Sequence, residues 1–180
     1  MHVKGRRFRI VDLLVTGALL LAALGPSTAA ASEGDVSEPV FGGCVKGTDY
    51  EAEYLICMPE EKAWNHDLVV YAHGYVAPNR PVEVPQDQLV LGDGTSITET
   101  ITSLGYGFAA TSYVTNGLAI REGVADVVNV VETFKSTQGV TPTHVYLAGV
   151  SEGGAVTALA VEQHPDVFDG GVAACGPVGN

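Results

Sequence analysis

The sequence has 180 residues, with 9 Lys or Arg against 21 Asp or Glu, a formal net charge of −12, and 46% hydrophobic residues. So acidic a chain repels nucleic acid and anionic membranes, which excludes both as expected partners. The length is enough for one domain with a real hydrophobic core.

The chain opens with the basic residues Lys4, Arg6, Arg7 and Arg9, and residues 10–24 follow as a mostly apolar run interrupted by Asp12. Gly25-Pro26 breaks that run, and Ala29-Ala30-Ala31 offers small residues for cleavage. This is the pattern of a secretory signal, with an uncleaved anchor as the alternative. The run is too short for a comfortable membrane span, and no second one follows, so no stable span is expected after cleavage. The Arg6-Arg7 pair permits twin-arginine export, although its flanks fit poorly. Cleavage after Ala31 would remove four positive charges and one negative and move the net charge from −12 to −15. The expected organisation is a signal over residues 1–31, a polar acidic linker over 32–43, and one domain over 44–180. The expected location is secreted or periplasmic.

Three cysteines follow the signal: Cys44, Cys57 and Cys175. Export favours a disulfide. A Cys44–Cys57 bridge would close a short segment and contribute about 3 kcal/mol through loop entropy. Cys175 is then left over, as a buried thiol or with a partner elsewhere. Three unpaired structural cysteines are the other reading.

Strand and helix signals alternate through the rest. Residues 51–58 read as a strand ended by Pro59, and residues 67–72 (DLVVYA) as a short apolar strand. The proline-rich stretch 76–88 reads as an ordered surface loop. Ser96 with Glu99 is a capping-box pattern, so a short helix should run to Leu104 and stop at Gly105. Residues 107–114 are the next strand. Val124, Val127, Val128, Val131 and Phe134 recur at helical spacing and place an apolar stripe on a helix over about 118–135. Residues 144–150 form another buried-type strand, 152–164 a helix, and 168–175 a last strand. This rhythm implies parallel pairing through right-handed crossovers. Continuous apolar strands imply a sheet covered on both faces. The expected fold is therefore α/β, a mostly parallel sheet with helices on both faces.

One motif carries chemistry. Gly149-Val150-Ser151-Glu152-Gly153 stands where a strand ends and a helix begins. In a chain with 22 glycines, GxSxG arises by chance in roughly one case in ten, so its context decides. A strand-to-helix turn this tight has no room for side chains at Gly149 and Gly153. It forces the serine hydroxyl outward at the carboxyl edge of the sheet. The helix turns its positive end to the same place, and the Glu152 N–H is free to bind an oxyanion. A helix-capping serine in a plain turn is the bland alternative. A phosphate-binding loop would need glycine at position 151 or a Walker lysine, and has neither.

His73-Gly74-Tyr75 ends the strand DLVVYA. With the elbow HVYLAGVSEGG, this order resembles the α/β-hydrolase superfamily, in which an HG motif follows the third strand and GxSxG the fifth. The resemblance covers residues 51–176. It implies that the Tyr75 N–H is the second oxyanion donor, that His73 is structural, and that no cofactor is needed. The activity it implies is that of an exported serine hydrolase acting on small-molecule or polymeric carboxylic esters. Secreted lipases, feruloyl-type esterases and polyesterases are all within reach. A prolyl-oligopeptidase-type peptidase is the alternative enzyme, and a non-catalytic module the alternative to an enzyme.

A serine nucleophile needs a base, and this fold orders them Ser, Asp or Glu, then His. Only His164 follows Ser151, thirteen residues on, about 20 Å away along a helix. Asp166 and Asp169 fall in a loop at the opposite sheet edge. The resemblance thus implies a chain that stops after the sixth strand, read as a fragment, a degenerate relative, or a protein completed by a partner. Little esterase activity is expected of these 180 residues alone. Metal ligands are not expected: Gly92-Asp93-Gly94 reads as a turn, lacking the alternating acids of a calcium loop.

Overall fold

The computed structural model describes residues 39–179. The expected signal and most of the expected linker lie outside them. Six strands form one sheet: β1 (Gly43–Asp49), β2 (Ala52–Met58), β3 (Asp67–Ala72), β4 (Gly107–Thr111), β5 (His144–Val150) and β6 (Gly170–Ala174). Three α-helices accompany them: α1 (Ile97–Ser103), α2 (Ile120–Gln138) and α3 (Glu152–Gln163). The strand order is β1-β2-β4-β3-β5-β6. β1 and β2 pair antiparallel, as do β2 and β4, while β4, β3, β5 and β6 run parallel.

Alternation along the strands builds a core on each face. Ile56, Leu68, Val70 and Leu147 point to the side covered by α2 and α3, where they meet Val127, Val131, Phe134 and Val156. Leu55, Cys57, Tyr71, Phe108 and Ala110 point to the other side, against Ile97 and Ile101 of α1. α2 is rich in β-branched valine, a weak helix former, and its buried stripe supplies the stability that propensity does not. The serine half of the capping box expected at α1 is present, with Ser96 Oγ accepting from the Glu99 N–H at 3.1 Å.

The expected elements stand with shifted ends, and one strand went unrecognised. β1 begins at Gly43, inside the expected linker. Ahead of it the Val40 N–H already donates to Gln138 Oε1 at 2.9 Å. β1 alternates half-buried and exposed residues with glycine at positions 43 and 47, so its local signal is weak and its pairing with β2 defines it. β4 stops at Thr111 because Tyr113 turns to φ +57°. β6 pairs only with β5 among the described residues, leaving Val172 exposed.

Cys44 and Cys57 face each other in the β1–β2 register and are disulfide-bonded. Cys175 is a free, exposed thiol, which removes the buried-thiol reading. No described helix is long and apolar enough to cross a membrane. Because the bridge ties an edge strand to the sheet, replacing both Cys44 and Cys57 by Ser should lower the unfolding free energy by about 2–4 kcal/mol in urea titration. A reductant should destabilise the parent protein by a similar amount and leave the double variant unchanged.

Candidate active site

β3 and β5 are neighbours with Ala72 opposite Gly149, so the residues that follow each strand leave the sheet side by side. His73-Gly74-Tyr75 leaves from one and Val150-Ser151-Glu152 from the other. A Cβ placed on Gly74 would stand 3.6 Å from Ser151 Cβ, so the two segments lie directly against each other.

The turn at Ser151 is as tight as its glycines suggest. A side chain at Gly149 would overlap the Gly153 carbonyl, and one at Gly153 would overlap the Ala72 carbonyl of β3. Backbone thus packs directly on backbone where β5 meets α3. Ser151 bridges the junction at φ +58°, ψ −122°, a conformation that costs a non-glycine residue on the order of 1–3 kcal/mol. Its side chain is exposed and makes no capping hydrogen bond to α3. Ser151 thus holds the N-cap position of α3 without capping it through its side chain. The Ser151 N–H donates to the Ala174 carbonyl at 2.9 Å, fastening the turn to β6.

Two backbone donors stand beside this serine. Neither the Tyr75 N–H nor the Glu152 N–H has an acceptor among the described residues. The peptide carrying the Tyr75 N–H is fixed in orientation. His73 Nδ1–H donates to the Gly74 carbonyl at 2.6 Å. The bond is trans, so the Tyr75 N–H points away from the imidazole.

His73 itself is buried. Its ring stacks on Tyr113 with centroids 3.9 Å apart, and Tyr113 Oη–H donates to the His73 carbonyl at 3.1 Å. Burial pushes the His73 pKa below its ordinary value, and the Gly74 and Ser112 carbonyls only partly oppose that. A neutral, buried imidazole whose Nδ1–H is already given to Gly74 orients the loop and is badly placed to take the serine's proton. Burial and the nearby Glu152 carboxyl also push the Tyr113 phenol up, so it stays protonated as a donor.

Glu152 plays a part that its sequence position does not reveal. Its carboxyl turns inward, 4% exposed, and Oε1 accepts from the Ala119 N–H at 2.6 Å. Ala119 is the N-cap of α2 and has no side-chain cap of its own, so Glu152 caps that helix from another element. Glu152 Oε2 is buried without a hydrogen-bond partner.

The remaining histidines stand elsewhere. His144 pairs with Asp67 at 2.9 Å at the amino edge of the sheet, and His66 packs on Trp64 beside it. His164 is the C-cap of α3. Asp169 Oδ2 accepts from the Val145 N–H at 2.8 Å, which is a structural task. Next to Tyr75 the chain forms an open cavity of about 450 Å³ lined by Val76, Arg80, Pro81, Pro85 and Gln88. Gln88 and Tyr113 were missed in the sequence. Tyr113 has no local signal beyond its place at a strand end, and Gln88 acts across 14 residues.

A mixed α/β sheet with a strained serine between β5 and α3, facing an HG loop after β3, defines a serine-elbow protein. Among solved structures the chain is similar to Est1E from Butyrivibrio proteoclasticus, with 19% identity and a TM-score of 0.51 over 73% of this chain and 50% of that one. A complex of Est1E with ferulic acid matches with 17% identity and a TM-score of 0.50 over 68% of this chain and 47% of that one. A protein described as a dipeptidyl aminopeptidase IV of Bacteroides ovatus matches with 24% identity and a TM-score of 0.51 over 73% and 20%. The sequence profile of the prolyl oligopeptidase family matches residues 104–180. No curated protein matches the chain. The fold is the α/β-hydrolase fold, and the chain spans half or less of the length of these structures.

Burial raises the Glu152 carboxyl above its ordinary 4.5. Its contribution to stability is then complete below that value and is lost as the pH rises through the folded-state pKa. Glu152→Gln keeps an acceptor for the Ala119 N–H and removes the charge. The Tm of Glu152→Gln relative to the parent should rise on going from about pH 4 to about pH 8, measured by differential scanning calorimetry. A pH-independent difference would show that the carboxyl titrates normally.

Proposed function

We propose that the protein is an exported serine hydrolase that cleaves carboxylic esters through an acyl-enzyme on Ser151. The observation that carries this reading is the uncapped, exposed Ser151 at φ +58° beside two backbone N–H groups without acceptors. Ser151 Oγ attacks the ester carbonyl as a base removes its proton. The carbonyl oxygen, now negative, takes hydrogen bonds from the Tyr75 and Glu152 N–H groups. Collapse of the tetrahedral intermediate breaks the ester C–O bond, the base returns its proton to the leaving oxygen so that it departs as the alcohol, and the acyl group stays on Ser151. Water then releases the acid by the same route in reverse.

None of the described histidines suits the role of that base, since each is spent at the far edge, at a helix end or beneath the loop. In this reading the histidine and its acid belong to sequence beyond residue 180. The spans of this chain on its structural neighbours, 50% of Est1E among them, are in keeping with that. The Cys44–Cys57 bridge favours an oxidising compartment and so supports export. The cavity beside Tyr75 is the natural place for one side of the ester. Peptide cleavage is the second reading, favoured by the prolyl oligopeptidase profile over residues 104–180.

The test uses the protein expressed from its complete gene, assayed with p-nitrophenyl esters and, in parallel, with dipeptidyl p-nitroanilides. Ester turnover should dominate, and Ser151→Ala should lower it by at least about a thousandfold with the fold intact. Dominant anilide turnover would replace the esterase reading by the peptidase one. Activity that survives Ser151→Ala would end both.

A further inference from the structure

Gln88 reaches the backbone of the HG loop with both ends of its amide. Its Oε1 accepts from the Gly74 N–H at 2.6 Å, and its Nε2–H donates to the Tyr75 carbonyl at 3.2 Å. The assignment of the two amide atoms is fixed by its partners, because an N–H requires the oxygen and a carbonyl requires the nitrogen. Between these two anchored groups lies the peptide whose carbonyl His73 holds and whose N–H belongs to Tyr75. That peptide is therefore constrained from three directions: His73 at its own oxygen, and Gln88 at the group before and the group after.

Gln88 is itself held firmly. It lies in the short 3-10 helix Gln86–Leu89, anchored by Val84 just before it and by its own last residue Leu89, 2% and 4% exposed. Both insert into the core on the α1 side of the sheet. The Gln88 N–H donates to the Pro85 carbonyl at 3.0 Å, and the Val84 N–H donates to Glu53 Oε1 of β2 at 3.1 Å. The amide is thus mounted on the sheet, fourteen residues away in sequence from the loop it grips. The buried Gly74 N–H needs a protein acceptor in any case, but the Tyr75 carbonyl lies in an exposed bond and water would satisfy it equally well. Aiming an oxyanion donor does need that second bond, because a donor misplaced by about 1 Å loses most of its effect.

We propose that Gln88 is a positioning residue for the oxyanion donor Tyr75 N–H, setting its direction without touching substrate. This rests on Ser151 as the nucleophile. Loss of the amide leaves substrate binding in place and weakens stabilisation of the intermediate. The cost therefore falls on kcat rather than KM.

The test compares Gln88→Ala, Gln88→Glu and Ser151→Ala with the parent, each expressed from the complete gene, using p-nitrophenyl acetate. Gln88→Ala should lower kcat by about 10- to 100-fold with KM changed less than about threefold. Gln88→Glu keeps an acceptor for the Gly74 N–H but sets an oxygen against the Tyr75 carbonyl, and should reproduce most of the loss. If Gln88→Ala does not fold, the near-isosteric Gln88→Glu carries the comparison. In ¹H–¹⁵N spectra of either variant the Tyr75 amide resonance should move, a signature that a remote loss of stability would not give. Unchanged kcat, a change confined to KM, or an unmoved Tyr75 resonance would overturn the role of Gln88 while leaving Ser151 untouched. Full activity in Ser151→Ala would instead remove the nucleophile, and the proposal for Gln88 with it.

Discussion

Backbone pressed against backbone at Gly149 and Gly153 determines most of what this structure can do. A single methyl group at either position would collide with a carbonyl, of Gly153 in one case and of Ala72 in the other. Glycine lets α3 start directly against the ends of β3 and β5. Ser151 then has nowhere to go but φ +58°, outward and clear of the helix it precedes. The same contact brings the N-terminal N–H groups of α3 level with the loop that leaves β3. Strain at one residue is tolerated because the sheet and helix on either side are well packed, with Leu147 and Val156 fully buried.

Around that contact the polar groups form a second, less visible frame. His73 holds the Gly74 carbonyl, Tyr113 holds the His73 carbonyl and stacks on its ring, and Glu152 caps α2 through Ala119. Burial keeps the imidazole neutral and raises both the phenol and the carboxyl. These groups serve as fixed hydrogen-bond partners and not as proton carriers. In the proposed reading such a frame holds the two donors still before substrate arrives, which is the condition for electrostatic stabilisation to act without reorganisation. At the elbow the Tyr75 and Glu152 N–H dipoles stand at the positive end of α3.

The sequence was informative where chemistry and local geometry coincide. The continuous apolar run in DLVVYA, the helical stripe from Val124 to Phe134 and the glycines flanking Ser151 each state a local rule, and the fold follows them. The pairing of Cys44 with Cys57 was legible from their short separation. What could not be read depends on long-range contacts. β1 has little pattern of its own and exists because β2 lies beside it. Tyr113 sits at φ +57°, a conformation no propensity would assign to tyrosine, because its ring is needed against His73. Gln88 looked like the end of a proline-rich loop, and the side chain of Glu152 like a helix residue beside the nucleophile. Their partners are 14 and 33 residues away.

In the proposed function Ser151 and the N–H groups of Tyr75 and Glu152 form one reactive centre. The most direct test of this is a crystal structure of the protein from its complete gene after treatment with a fluorophosphonate. Phosphorus should be bonded to Ser151 Oγ, with the phosphoryl oxygen about 2.7–3.1 Å from both nitrogens. An adduct on another residue, or on Ser151 with that oxygen turned to solvent, would contradict it.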